Sequence, residues 1–160
     1  MEVSREYIGK KEDCFAIILE ALIHDIEQET EESIEIDEIN EGFSYKKKLE
    51  NRFGNEGYVQ VTIAKLDVPN YYEAHFLRNH DLNILSYELT DIDEKSFNLI
   101  YKENFEGNKK THNLNFKLMQ RLYKRSSTKR VKLMLDHLET LLNDWLERGV
   151  WFEHSNIPKN

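Results

Sequence analysis

FSYKKKLENRFGNEGYVQVTIAKLDVPNYYEAHFLRNHDLNILSYELTDIDEKSFNLIYKENF, residues 43–105, carries the periodicity from which the rest of the chain can be read. Phe43, Tyr45, Lys47 and Leu49 alternate with Ser44, Lys46, Lys48 and Glu50. That is the period of two that sends successive side chains to opposite faces of a strand. Val59, Val61 and Ile63 form a second alternating set, Tyr72, Ala74 and Phe76 a third, and Leu85, Tyr87 and Leu89 a fourth. Phe97, Leu99, Tyr101 and Phe105 form the fifth. Between the sets lie Gly54-Asn55-Glu56-Gly57, Val68-Pro69-Asn70, Asn79-His80-Asp81 and Asp91-Ile92-Asp93-Glu94, each with turn chemistry. Consecutive strands joined by short polar turns predict an antiparallel meander.

Outside this stretch the period changes. Glu2 to Ile8 is expected as a short first strand, ended by Gly9. Phe15, Ile18, Leu19, Leu22 and Ile26 then follow one helical face, predicting a helix from about Lys11 to Gln28. Glu12 and Asp13 suit the positive end of its dipole. In the last third, Leu114, Leu118 and Leu122 point to one helical segment, weakened around Arg125-Ser126-Ser127. Any of Ser126, Ser127 or Thr128 can cap a second helix. Its apolar face reads Val131, Met134, Leu135, Leu138, Leu141, Leu142 and Trp145, with Gly149 as the expected C-cap. Some twenty residues at a rise of 1.5 Å make it roughly 30 Å long, enough to cross a sheet. The expectation is an α+β chain with a single domain over residues 1–149 and a short tail, 150–160. Val150-Trp151-Phe152 in that tail either folds back or touches a neighbouring chain.

A chain of 160 residues, 39% apolar and 32% charged, has enough material for one core. No run approaches the ~18–20 apolar residues of a membrane span, and the start lacks a basic and then apolar leader. Cys14 is the only cysteine, so no internal disulfide can form, and a reducing, cytoplasmic setting is expected. The net charge of −8 is unevenly spread. Glu12 to Glu41 holds twelve acidic residues and no Lys or Arg, whereas Lys109 to Lys132 holds nine Lys or Arg and no acid. The two segments either face each other and water, or the basic one meets an anionic partner.

Most chemical motifs are missing. There is no GxSxG, GxxxxGK[ST] or GxGxxG, and the chain has six glycines in all, so no phosphate cradle or nucleophile elbow is expected. His75 and His80, with Glu73 and Asp81 near them, do not share the spacing that converges on one metal ion. His24 and His137 sit among charges on helices, and His112 and His154 lie in irregular segments. Cys14, in an apolar neighbourhood with no cation nearby, is expected to be an inert thiol. Arg121, Lys124, Arg125, Lys129 and Arg130 cluster around Tyr123 and are candidates for an anionic partner. The stripe is short and the protein acidic, with no base-stacking aromatics, which argues against nucleic acid.

The order strand, helix, meander, long terminal helix resembles the START-like helix-grip (SRPBCC) superfamily, which includes START lipid-transfer domains, birch-pollen-allergen-like proteins and polyketide cyclases. Val3-Ser4-Arg5-Glu6-Tyr7-Ile8 running into Asp13-Cys14-Phe15-Ala16-Ile17-Ile18 is similar to that superfamily's opening. Lys117-Leu118-Met119-Gln120-Arg121-Leu122-Tyr123-Lys124-Arg125, with Lys129-Arg130-Val131-Lys132, is similar to the basic stretch of an uncharacterised Firmicute domain-of-unknown-function family. The resemblance covers about residues 1 to 147 and implies a curved antiparallel sheet of about six strands gripping the C-terminal helix. It also implies a space between the two, in relatives commonly ~300–1,000 Å³ and apolar.

On that fold the helix offers Met134, Leu135, Leu138 and Leu142 to such a space, and the sheet offers Tyr45, Tyr72, Phe76, Tyr87, Leu99 and Tyr101. A filled core with the hydroxyls at its rim is the competing expectation. Three functions follow. The first is a binding module for a small apolar or amphipathic ligand. The second is a ligand-free interaction protein acting through residues 109–132 or the Trp151-Phe152 tip, as a monomer or weak homo-oligomer. The third is an enzyme of the cyclase kind, for which only His75 and the tyrosines offer acid–base groups. No cofactor or metal is expected for any of them.

Overall fold

A computed structural model of the chain describes the backbone of residues 1–50, 56–106 and 114–148, and the side chains of 1–48, 57–106 and 128–147. Strand β1 (Glu2–Ile8) leads into helix α1 (Lys11–Thr30), and a 3-10 turn at Ile36–Glu38 precedes the meander. The meander comprises β2 (Ser44–Glu50), β3 (Glu56–Asp67), β4 (Tyr71–Arg78), β5 (Asp81–Asp91) and β6 (Ser96–Glu106), and helix α2 (Leu114–Arg148) follows. The described strands make one antiparallel sheet in the order β1-β6-β5-β4-β3-β2. The meander is therefore as expected, and β1 closes its far edge by pairing with the last strand, Tyr7 opposite Phe97 and Val3 opposite Tyr101. The sheet curves around the C-terminal helix, so the expected helix-grip arrangement is present.

Two expectations change. Glu56 and Gly57 belong to β3 rather than to a turn, while residues 51–55 lie outside the described residues. The expected break around Ser126 is absent. α2 runs unbroken from Leu114 to Arg148, so none of Ser126, Ser127 and Thr128 caps a separate helix. Neither Pro nor Gly occurs between those ends, and a Ser-Ser-Thr step lowers helix propensity by only tenths of a kcal/mol per residue. Gly149 and the tail beyond it lie outside the described residues.

The core sits between the concave face of the sheet, α1 and α2. From α2, Val131, Leu135, Leu138 and Leu142 are buried, with Met134, Leu141 and Trp145 half-buried beside them. That is the apolar face the 3.6-residue period predicts. Helix α1 buries Cys14, Ala16 and Ile17 in addition to the expected Phe15, Ile18, Leu19, Leu22 and Ile26. It contacts β2, β5 and α2, and so is enclosed on more than one side. Gly9 joins β1 to α1 with φ +133°, and a Cβ there would stand 3.4 Å from Leu142 Cδ2. The position therefore needs glycine for its backbone angle, while the Cβ distance by itself is ordinary packing contact. Polar ties hold the layers in place. The Tyr7 hydroxyl donates to the Leu135 carbonyl at 3.0 Å, Arg5 pairs with Asp136, and Lys47 pairs with Asp25. No described helix is long and apolar enough to cross a membrane.

Candidate functional site

Register places the inward side chains in rows that cross the sheet. One row reads Leu66, Tyr72, Tyr87, Tyr101 and Val3, from β3 to β1. The next reads Ile63, Ala74, Leu85 and Glu103, and the one beyond it Val61, Phe76, Asn83 and Phe105. Antiparallel pairing forces these neighbours, because directly opposed residues share a face.

The tyrosine row is the centre of the site. Tyr72 and Tyr87 have ring centroids 6.1 Å apart, and Tyr87 meets Tyr101 edge-on at 5.2 Å. Above them the Tyr87 hydroxyl donates to Met134 Sδ at 3.4 Å, joining sheet to α2. Burial raises the ionisation of all three phenols above the ordinary tyrosine value, and at Tyr101 the Glu103 charge adds to it. They stay protonated at neutral pH and present hydroxyls rather than charges.

The other residues expected to line a space are distributed differently. Leu99, Leu135 and Leu142 are fully buried and belong to the packed core, and Leu138 is nearly so. Tyr45 is on the outlying strand β2, where its hydroxyl donates to Asp25 of α1 at 2.6 Å. It ties α1 to the sheet and stands apart from the tyrosine row. Phe76, Tyr87 and Met134 are half-buried, as is Leu85 in the middle of β5. These four face inward yet keep contact with solvent.

Two functional candidates were not anticipated. Glu103 follows Tyr101 at the strand period, and its side chain retains only 9% of its exposure. It accepts from Tyr101 Oη at 3.1 Å, from Asn83 Nδ2 at 2.9 Å and from Arg130 Nη2 at 3.4 Å. Asn83 lies one row further along, between Phe76 and Phe105. Its Oδ1 is buried and has no hydrogen-bond partner among the described residues. The readable signal was an acid at an inward position of β6, between Tyr101 and Phe105.

His75 is on the other side of the sheet. It alternates with the buried Tyr72 and Ala74 and pairs with Glu73 at 2.8 Å on the convex face. It therefore offers no acid–base group to the interior, which corrects the one histidine considered for that role. Burial pushes Glu73 upward, but hydrogen bonds from Tyr71 and His75 outweigh this and hold it below the usual carboxylate range. His24, His80 and His137 are exposed, and no metal-binding group of three or more ligands occurs among the described residues. Burial, with Asp13 adding to it, pushes the Cys14 thiol up to about 12, as its apolar setting led one to expect. Of the basic segment, Lys129 and Arg130 are exposed, and Arg130 turns to Glu103. The side chains of Arg121, Lys124 and Arg125 lie outside the described residues, as do His112, His154, Trp151 and Phe152.

Comparison with known proteins agrees with the fold. No curated protein matches the chain. Among solved structures, a START superfamily protein from Mycobacterium smegmatis superposes with a TM-score of 0.60 at 10% identity, covering 90% of this chain and 97% of its own. A Staphylococcus aureus protein of unknown function gives 0.55 at 16% identity, covering 92% and 96%. A conserved Geobacillus kaustophilus protein gives 0.55 at 15% identity, covering 90% and 95%. At such identities the likeness concerns the fold, which is START-like, and fold alone does not fix function. A family profile described as a domain of unknown function, DUF3284, matches residues 1–124. With more than three quarters of its length matched and its strands in the START-like order, the chain belongs to the DUF3284 family.

Proposed function

We propose that this protein is a binding module that holds a small apolar or amphipathic molecule between the sheet and α2. The observation that carries the reading is the incomplete burial of Phe76, Leu85, Tyr87 and Met134. They are inward-facing apolar residues from three elements, in the middle of a face whose neighbours Ala74, Leu89 and Leu99 are at 0–2% exposure. A densely filled core would exclude water from all of them alike. Protonated tyrosine hydroxyls beside apolar surface suit an amphipathic ligand, each ring pairing an apolar body with a polar tip. The reading sets the module in a reducing, cytoplasmic compartment, where the free thiol of Cys14 is stable.

Native mass spectrometry of the protein purified from its own cells, compared with its denatured mass, tests the reading. A small molecule lost on denaturation is the expected result, and its mass gives the ligand's. A bare native mass together with a dry, filled interior in a crystal structure would sink it. The function would then lie with a surface partner of the basic segment or of the Trp151-Phe152 tip.

A further inference from the structure

Resting on the ligand-binding reading, the structure assigns a polar end to the bound molecule. We propose that Asn83 and Glu103 receive a hydrogen-bond donor, an alcohol or an amine, at one end of an otherwise apolar ligand. A carboxylate or phosphate end is rejected there.

The inventory of donors and acceptors carries the inference. Tyr101 Oη, Asn83 Nδ2 and Arg130 Nη2 are all turned onto the Glu103 carboxylate. Tyr87 Oη is turned onto Met134 Sδ. Each of these donor atoms has one bond to a neighbour; Asn83 Nδ2 and the Arg130 guanidinium keep further N–H groups, but the buried atom left without a bond is an acceptor. The Asn83 Oδ1 has no partner among the described residues, and the Tyr87 and Tyr101 oxygens keep unused lone pairs. The orientation of the Asn83 amide is fixed, since reversing it would set its oxygen against the Glu103 carboxylate at 2.9 Å.

Position supports the same conclusion. Glu103 follows Leu85 at the end of the row that begins with Ile63, and Asn83 follows Phe76 in the next row, so a ligand lying along Ala74, Leu85 and Phe76 would meet the polar pair beyond them. A buried acceptor without a partner is a standing cost that an arriving N–H or O–H removes. An anionic end would instead face Glu103 and the bare Asn83 oxygen, with the largely exposed Arg130 guanidinium and the N-terminal ammonium, which donates to the Glu103 carbonyl at 2.8 Å, as the offsetting charges. Solvent does not reach the Asn83 oxygen in this conformation.

Calorimetric titration of the full chain at pH 7.5 with 1-octanol, octylamine and sodium octanoate tests the proposal, since the three share one tail length. Octanol, octylamine or both are expected to bind at least about tenfold more tightly than octanoate. Either order between the two donors supports the proposal. Glu103→Gln, which keeps the shape and adds an N–H donor, is expected to narrow that ratio to below about threefold by strengthening octanoate. Asn83→Leu is expected to narrow it by weakening octanol. Equal binding of all three probes by the unaltered protein would overturn the donor preference while leaving the ligand reading intact. So would a ratio unchanged in both variants. Binding of none of them, together with a bare native mass, would overturn both.

Discussion

Leu85→Phe and Leu99→Phe place the same larger side chain on the same face of adjacent strands, in rows on either side of the tyrosine row. They differ in what surrounds them. Leu99 is at 0% exposure beside Phe97, whereas Leu85 is half-buried beside Ala74. Forcing a ring into the packed position displaces neighbours from their rotamers and costs about 1–3 kcal/mol. For a chain of this length, 1 kcal/mol lowers Tm by roughly 2–4 °C, so Leu99→Phe is expected to lose about 3–10 °C. On the proposed ligand-binding reading the added atoms at Leu85 have room, and the change should stay within about 0.5 kcal/mol, or roughly 2 °C. On the same reading the Leu85 variant should nonetheless lose a co-purifying ligand, because the ring would occupy the ligand's place. Urea unfolding and thermal melts of both variants, read beside native mass spectra, make the comparison. Equal destabilisation by the two substitutions would refute the reasoning, since it would mean that the face at Leu85 is as full as the face at Leu99.

Other expectations are simpler. Gly9→Ala should destabilise by about 1–3 kcal/mol in urea, because φ +133° strains any side-chain-bearing residue; a neutral result would mean that the β1–α1 junction relaxes freely. Tyr7→Phe should cost about 0.5–1.5 kcal/mol in the same assay through loss of its bond to the Leu135 carbonyl. With its thiol pushed up to about 12, Cys14 should be nearly silent to a thiol reagent at pH 8 until the chain is unfolded, and fast native labelling would contradict its burial. The Glu73 carboxyl is depressed in the folded state from a usual value of 4.5, so its contribution to stability is present above that pH and is lost as pH falls through the folded value. Glu73→Gln should therefore shrink the loss of stability on acidification below that point, as followed by urea unfolding across pH. An unchanged acid limb would show that the Tyr71–Glu73–His75 contact does not form in solution.

Much of the fold was legible because it depends on local periodicity. A period of two in residues 43–105 and a 3.6-residue stripe from Val131 to Trp145 select strands and helix before any tertiary contact forms, since each element buries whichever face is apolar. The Arg125-Ser126-Ser127 step was misread for the same reason. Weak local propensity suggested a break, whereas nothing in those residues forces one, and the helix continues. Element boundaries at Glu56 and Gly57 likewise depend on pairing with β2, which no local pattern reveals.

The candidate site divides along the same line. The sequence by itself determined that tyrosines would alternate onto one sheet face and that Met134 and the leucines would line one helix face, because alternation and helical pitch are properties of the backbone. Only the tertiary structure decided which of them meet. Tyr72, Tyr87 and Tyr101 form a row because three strands align in register, while Tyr45 is drawn off to Asp25 on α1. It also sent His75 to the convex face and put Glu103 and Asn83 inside, bonded to each other from adjacent strands and reached by Arg130 from α2. Burial and partnership of polar groups are set by side chains far apart in the chain, and so they come into being only when the sheet closes around its helix.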